Sequence, residues 1–393
     1  MNELHLQDRF LLPFLRDSLG YREVKANTVT HSLIIEEDLE AFIAETELNQ
    51  KPYEALLKKY SGNRRALLDD LIELIQERCG SSRNKALFLN ANKSIALQGI
   101  KLHLFYTADS VIHDNALFEQ NIFSVVQELP YKYRYQDKLI YAFRPDLAFF
   151  VNGIYLGYSE LKSNYTNQSA QKNGRGKVIK DYFEAVKAYY THVDANAMLS
   201  EKDKEAVRRD FLKVFEKAIH ITTTDIKDTY VIRNIADFFD EILETCRQGK
   251  FDREEVEKRV MKVFKPYPLL NPDADKKDKF KELFTCHYGK AFIEREILYY
   301  NFIERDVYVV NGVKQLKDEK GQLISPRPKQ KFGTDKIIAK IDEFLEHEGE
   351  DDYFIALLEK QLTNVSPAKR QELIDKRKAY ANNKNVYSLL MQY

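Results

Sequence analysis

Residues 144–163 read RPDLAFFVNGIYLGYSELKS, and this stretch decides the fold. Two apolar runs, Leu147–Val151 and Ile154–Leu161, flank an Asn-Gly pair at 152–153, which is a strong signal for a tight hairpin turn. Both runs are apolar on both faces, as in strands that are covered by other layers on each side. The stretch therefore predicts a buried β-hairpin at the centre of an α/β core.

Charged residues stand at the open end of this hairpin. Asp146 precedes the first run, whereas Glu160 and Lys162 interrupt the end of the second. A surface hairpin with a salt bridge is the ordinary alternative, but unpaired charges inside a buried run are costly. Mg²⁺ prefers carboxylate and carbonyl oxygens, so Asp146, Glu160 and the Leu161 carbonyl are candidate metal ligands. A neighbouring lysine can orient water and offset charge on a phosphate, which makes all three charged residues candidate catalytic groups.

The length of the hairpin loop decides whether these charges meet. Glu160 and Lys162 are two residues apart on a strand and share a face. A two-residue loop without a bulge would put Asp146 opposite Ser159, on the other face. We predict instead a three-residue loop that begins at Val151, or a bulge nearer Asp146 with the same effect.

The rest of the chain predicts a mixed sheet covered by helices. Apolar periodicity predicts helices at 3–19 and 175–191 and strands at 218–222 and 230–233. A polar, turn-rich stretch at 311–322 predicts a linker. We divide the chain into a core, a mostly helical region and a last segment, over 1–240, 241–310 and 311–393.

Composition sets limits on function. The chain has 393 residues, with 61 Lys+Arg and 61 Asp+Glu, so the net charge gives no general attraction to nucleic acid. Contact with DNA therefore requires local basic patches. The sequence contains no apolar run of membrane-spanning length, no signal pattern and no cysteine framework. These features predict a cytoplasmic protein without a membrane partner.

The hairpin resembles the signature of the PD-(D/E)xK nuclease superfamily and, more closely, the R (restriction, HsdR-like) subunit of Type I restriction–modification enzymes. The spacing from Asp146 to Glu160 and Lys162 is similar to the pattern of that family. The segment 121–127, which reads NIFSVVQ, and the Leu-Gly-Tyr at 19–21 are also similar to it.

This resemblance implies a restriction-endonuclease-like nuclease domain over 1–240, a helical linker region over 241–310 and the start of a RecA-like, helicase-like motor over 311–393. It implies Mg²⁺-dependent cleavage of double-stranded DNA after ATP-driven translocation, with methylation (M) and specificity (S) subunits as partners. No GxxxxGK phosphate loop occurs, so we expect an N-terminal piece of a longer subunit, with ATP bound only in the full-length protein. A non-catalytic DNA-binding or docking module on the same fold is the alternative.

The resemblance also implies roles for residues outside the hairpin. Family members often carry an acid on the first helix, which points to Glu3 or Asp8. The helix at 175–191 lacks the Gln-x-x-x-Tyr pair of the family, so its tyrosines and basic residues are the candidate DNA and phosphate contacts. The segment 325–330 resembles an adenine-contacting segment. The candidate residues are Arg175, Lys177, Lys180, Tyr182 and Tyr189 for DNA, and Arg327 and Gln330 for adenine.

Overall fold

The computed structural model forms two compact units, one containing the described residues up to 324 and the other the helices from Pro328 onward. The structure describes residues 7–81, 85, 93–107, 116–163, 167–225, 228–233, 235–249, 253–267, 281, 284–285, 288–298, 302–304, 307–310, 313–316, 322–324, 328–347, 350–362 and 365–380.

Helices make up much of the described chain. A π-helical turn, Gln7–Leu11, leads into the first of them. The α-helices of the first unit are α1 Leu12–Asp17, α2 Glu36–Glu45, α3 Gln50–Lys59, α4 Arg64–Arg78, α5 Ala116–Glu119, α6 Arg175–Tyr189, α7 Glu201–Phe211, α8 Lys213–Glu216, α9 Phe239–Arg247, α10 Arg253–Val263 and α11 Lys290–Leu298. Those of the second unit are α12 Pro328–Glu346, α13 Asp351–Gln361 and α14 Pro367–Tyr380. Among the described residues, none of the helices is long and apolar enough to cross a membrane.

A seven-stranded mixed sheet forms the centre of the first unit, in the order β1-β4-β7-β8-β9-β10-β11. The pairs β1–β4 and β8–β9 are parallel, and the other neighbours are antiparallel. This arrangement confirms the predicted mixed sheet flanked by helices. The strands of the sheet are β1 Arg22–Val24, β4 Phe123–Gln127, β7 Leu147–Val151, β8 Ile154–Leu161, β9 His220–Thr224, β10 Thr229–Ile232 and β11 Lys265–Tyr267.

Among the residues that the structure describes, four two-stranded pairs lie outside this sheet. One strand, Val313–Leu316, lies inside the stretch 311–322, and another, Gln322–Ile324, begins at its end. The described part of this stretch therefore contains strands where the sequence predicted a linker. Strand β11 also extends the main sheet beyond residue 240. The paired strands are β2 Ser94–Leu97 with β3 Ile100–His103, β5 Tyr131–Tyr135 with β6 Lys138–Phe143, β12 Phe302–Glu304 with β15 Gln322–Ile324, and β13 Val307–Val310 with β14 Val313–Leu316.

Both faces of the central hairpin are covered, as its apolar sequence predicted. Every residue of β7 and β8 is buried. On one face the apolar side of α6 packs against Phe150 and Tyr158. On the other face Phe149 stacks on Tyr288, with ring centroids 3.9 Å apart. The hairpin is therefore a central element of the core rather than a surface ribbon.

The hairpin turn has two residues, because Val151 pairs directly with Ile154. The three-residue loop was therefore wrong. Asn152 adopts a φ of 48° and is fully buried. Its amide accepts from the Ile122 N–H at 2.7 Å and donates to the Asn121 side chain at 2.9 Å. The Asn-Gly pair is thus a buried structural turn at the end of the hairpin away from Asp146.

A bulge in β8 restores the predicted alignment. Phe149 pairs with Gly157 but Phe150 pairs with Tyr155, so Leu156 is an extra residue in β8. Beyond the bulge Leu147 pairs with Ser159. Asp146, which precedes Leu147, therefore lies opposite Glu160, which follows Ser159. The alternative form of the prediction, a bulge nearer Asp146, is confirmed.

Gly157 is needed where the bulge meets β9. A Cβ atom at this position would lie 2.0 Å from the carbonyl oxygen of His220, the residue with which Gly157 is in register. We expect Gly157→Ala to lower the free energy of unfolding by about 3 kcal/mol, because β8 and β9 must separate.

Denaturant unfolding measures this effect. Gly176→Ala on α6 is the matched control, since a Cβ there meets nothing within 4 Å and alanine favours a helix by up to about 1 kcal/mol. Equal effects of the two substitutions would show that the approach of β9 to the bulge is not a constraint.

Candidate active site

Asp146 and Glu160 come together where β7 begins and β8 ends. Asp146 directly precedes β7, and its Oδ2 accepts a hydrogen bond from the Leu161 N–H at 2.6 Å. Glu160 lies near the carboxyl end of β8 and is only 2% exposed. The β-bulge and this hydrogen bond hold the two carboxylates on one side of the hairpin.

Lys162 completes the predicted trio. Its Nζ donates to Glu160 Oε1 at 2.7 Å and to the carbonyl oxygen of Leu161 at 2.6 Å. The residue is 5% exposed, so this ion pair is largely removed from water. The structure thus brings together Asp146, Glu160, Lys162 and the Leu161 carbonyl.

A second lysine reaches the same carboxylate from helix α6. Lys177 Nζ donates to Glu160 Oε2 at 2.8 Å and lies 3.3 Å from a carboxylate oxygen of Asp181. Lys177 was predicted to contact DNA, and no role was predicted for Asp181. The i,i+4 spacing of the two on one helix was the signal that could have found the pair.

The electrostatics of the site follow from burial and close charges. Burial and, next to it, the charge of Glu160 raise the pKa of Asp146 to about 7. The Leu161 N–H and the lysines oppose this shift without cancelling it. Burial alone would lower the pKa of Lys177, but Glu160 and Asp181 outweigh it and raise that pKa. A proton therefore binds easily to Asp146 near neutral pH.

The donor set fits a hard divalent cation. Two carboxylates and one backbone carbonyl are the oxygen ligands that Mg²⁺ accepts, and Mg²⁺ usually keeps several waters as its other ligands. Within the described residues no group of three or more His, Cys, Asp or Glu side chains is placed to hold a metal ion, so a site here would rest on the two carboxylates and the backbone carbonyl. The chemistry of the site thus fits Mg²⁺ or Mn²⁺ better than a softer metal that needs nitrogen or sulfur.

Thr223 lies beside the site and was missed by the sequence analysis. It pairs with Glu160 across β8 and β9, and its buried hydroxyl oxygen has no hydrogen-bond partner among the described residues. A Cβ on Gly174 would lie 1.8 Å from that oxygen. Glycine therefore lets the chain entering α6 approach the sheet and carry Lys177 to Glu160.

The first helical segment also reaches the site, though not as predicted. The buried Gln7 donates from Nε2 to the carbonyl oxygen of Asp146 at 3.4 Å. Asp8 is exposed and accepts from Gln127 at 2.9 Å. Glu3 lies outside the described residues. Gln7, rather than Asp8, is the residue of this segment that contacts Asp146.

The remaining candidate DNA contacts on α6 do not converge on the site. Tyr182 and Tyr189 are buried in the core, so the prediction that they contact DNA was wrong; both follow the apolar face of the helix. Arg175 donates to the Phe264 carbonyl at 3.0 Å, away from Glu160. Lys180 is exposed on α6.

Of the two predicted adenine contacts, the structure describes Gln330 alone. Gln330 is exposed in the first turn of α12. Arg327 and the terminal apolar run at 386–393 lie outside the described residues. The adenine assignment therefore stays a prediction.

The mixed sheet and its charged hairpin define an α/β domain of the restriction-endonuclease-like class. The chain belongs to the family described as Type I restriction enzyme R protein N terminus, whose model matches residues 1–228, more than half of the sequence. A search of the curated proteins found no match.

Proposed function

We propose that this region is the Mg²⁺-dependent endonuclease part of a Type I restriction enzyme R subunit and cleaves the phosphodiester bonds of double-stranded DNA. One observation carries the proposal: Asp146 and Glu160 lie on one side of a buried hairpin, with Lys162 bonded to Glu160 at 2.7 Å. A non-catalytic DNA-binding or docking module is the competing function. Such a module has no need for buried carboxylates held next to each other.

The chemistry assigned to each residue follows from its position. A bound Mg²⁺ would lower the pKa of a coordinated water and offset charge on the scissile phosphate. Asp146, Glu160 and the Leu161 carbonyl would hold it. Lys162, which already donates hydrogen bonds to Glu160 and the Leu161 carbonyl, would orient the attacking water and offset the negative charge that develops on the phosphate. Burial keeps bulk water away and strengthens these charge interactions.

Local positive charge on the ribbon that precedes the site in the chain favours DNA as the substrate. The pair β5–β6 lies directly before Asp146 in the chain. Three of its exposed residues, Lys132, Arg134 and Lys138, are basic and one, Asp137, is acidic, so the ribbon is positively charged although the whole chain is neutral. Such a patch supplies the local positive charge that phosphate binding requires.

Membership of the family also supports a proposal about the partners and the motor of the full-length subunit. We propose that M and S subunits supply target specificity, that the full-length R subunit uses ATP to translocate DNA as a helicase-like motor, and that the complex works in the cytoplasm. Cleavage would then follow translocation. These steps rest on the family and not on contacts of the described residues.

Metal affinity is expected to depend on pH. Because the metal binds the ionised carboxylate, the Asp146 proton must leave, and its pKa is about 7. Mn²⁺ affinity should fall roughly tenfold per unit below pH 7 and be nearly constant above it. Isothermal titration calorimetry with Mn²⁺ between pH 5.5 and 8.5 measures this, and the site should release a proton to the buffer on binding below pH 7. Failure to bind Mn²⁺ at any pH would favour the non-catalytic module.

A further inference from the structure

The carboxylate of Glu160 is held by two lysines at once. Lys162 occupies Oε1 at 2.7 Å and Lys177 occupies Oε2 at 2.8 Å. The carboxylate itself is 2% exposed. Any cation that approaches Glu160 must therefore compete with a lysine that is already bonded to it.

The two lysines differ in how readily they can leave. The Lys162 side chain is 6% exposed and is also bonded to the Leu161 carbonyl. The Lys177 side chain is 39% exposed, and it has a second acidic partner, Asp181, one turn further along α6 at 3.3 Å. Lys177 can thus withdraw from Glu160 and keep an ion pair, whereas Lys162 would lose its buried contacts.

We propose that Lys177 is a positioning residue that holds Glu160 in place without metal and yields Oε2 to the incoming divalent cation. Asp181 retains the displaced ammonium group beside the site. This inference rests on the proposed function, because it assumes that Glu160 is a metal ligand. It assigns to the Lys177–Asp181 pair the control of metal entry.

If the metal displaces Lys177, the variant Lys177→Met should gain metal affinity and lose metal-free stability. Without a competing ammonium, Lys177→Met should bind Mn²⁺ up to about tenfold more tightly, the change expected when an ion pair worth ~1.4 kcal/mol no longer has to be broken. The same variant without metal should unfold at a lower temperature, since Glu160 then keeps only one lysine in a buried setting. Calorimetry and thermal unfolding of the full chain, with EDTA and with Mn²⁺, measure both quantities.

Two further variants separate position from charge. Lys187→Met removes the same charge from the same helix at an exposed site and should change the affinity and the metal-free unfolding temperature by much less. Lys177→Arg keeps the cation and should restore metal-free stability toward wild type.

The outcomes distinguish this inference from the function on which it rests. A Lys177→Met protein that loses both metal affinity and stability would show a purely structural role and overturn the inference alone. Equal affinities of wild type, Lys177→Met and Lys187→Met would overturn it too. If neither wild type nor Lys177→Met binds Mn²⁺, the metal site itself is wrong. Binding by the variant alone would support the exchange in its strongest form.

Discussion

Asp146→Asn is expected to abolish Mn²⁺ binding, with an affinity at least about 100-fold lower, because the site loses one of its two carboxylates. The fold should survive, since the asparagine oxygen can still accept the hydrogen bond that Leu161 donates to Asp146 at 2.6 Å. Calorimetry with Mn²⁺ measures the loss. Asp137→Asn, in the exposed turn of the β5–β6 pair, is the matched control and should bind as wild type does.

The stability of this variant without metal provides a second test, because it depends on the pKa of Asp146. In wild type the pKa of Asp146 rises from 3.8 to about 7 on folding. The folded state therefore loses stability as pH rises through that interval, and the loss is complete above pH 7. Asp146→Asn should remove this part of the pH dependence and unfold at a higher temperature than wild type at pH 8. Undiminished Mn²⁺ binding by the variant would show that the metal lies elsewhere.

Lys162→Met is expected to eliminate DNA cleavage while leaving metal binding in place. Positioned proton transfer contributes roughly 10²–10⁴-fold to a rate, and Lys162 is the lysine held most deeply at the site. In the assembled restriction complex the variant should lose plasmid cleavage but keep ATPase activity, since the motor is a separate function. Mn²⁺ binding by the variant chain shows that its site is intact.

The control for this variant is Lys187→Met, on the exposed side of α6, which should cleave at the wild-type rate. Retained cleavage in Lys162→Met would remove the lysine from the mechanism. Loss of both cleavage and ATPase activity would instead indicate a failure of assembly.

The sequence predicted the central hairpin because that information is local. Two runs that are apolar on both faces predict buried strands, and the Asn-Gly pair between them predicts a tight turn. The bulge at Leu156 was predictable only as one of two alternatives. Next to the bulge, Gly157 lies so close to the His220 carbonyl of the parallel neighbour β9 that no larger residue fits, and that pairing joins residues far apart in the chain.

The errors on helix α6 have a related cause. Tyr182 and Tyr189 recur at helical spacing on the apolar face of the helix, a pattern that indicates burial, and both are buried. Lys177 was singled out for phosphate, whereas its partners are Glu160 and Asp181. The contact with Glu160 depends on how closely Gly174 approaches Thr223, a matter of packing that helical periodicity does not encode.

The most direct test of the metal site is anomalous diffraction from crystals of this chain grown with Mn²⁺. We expect a peak coordinated by carboxylate oxygens of Asp146 and Glu160 and by the Leu161 carbonyl oxygen, at a metal–oxygen separation of about 2.1 Å. Lys162 should remain within hydrogen-bonding distance of the site. A peak that shares no ligand with this group, or none at a saturating Mn²⁺ concentration, would contradict the account.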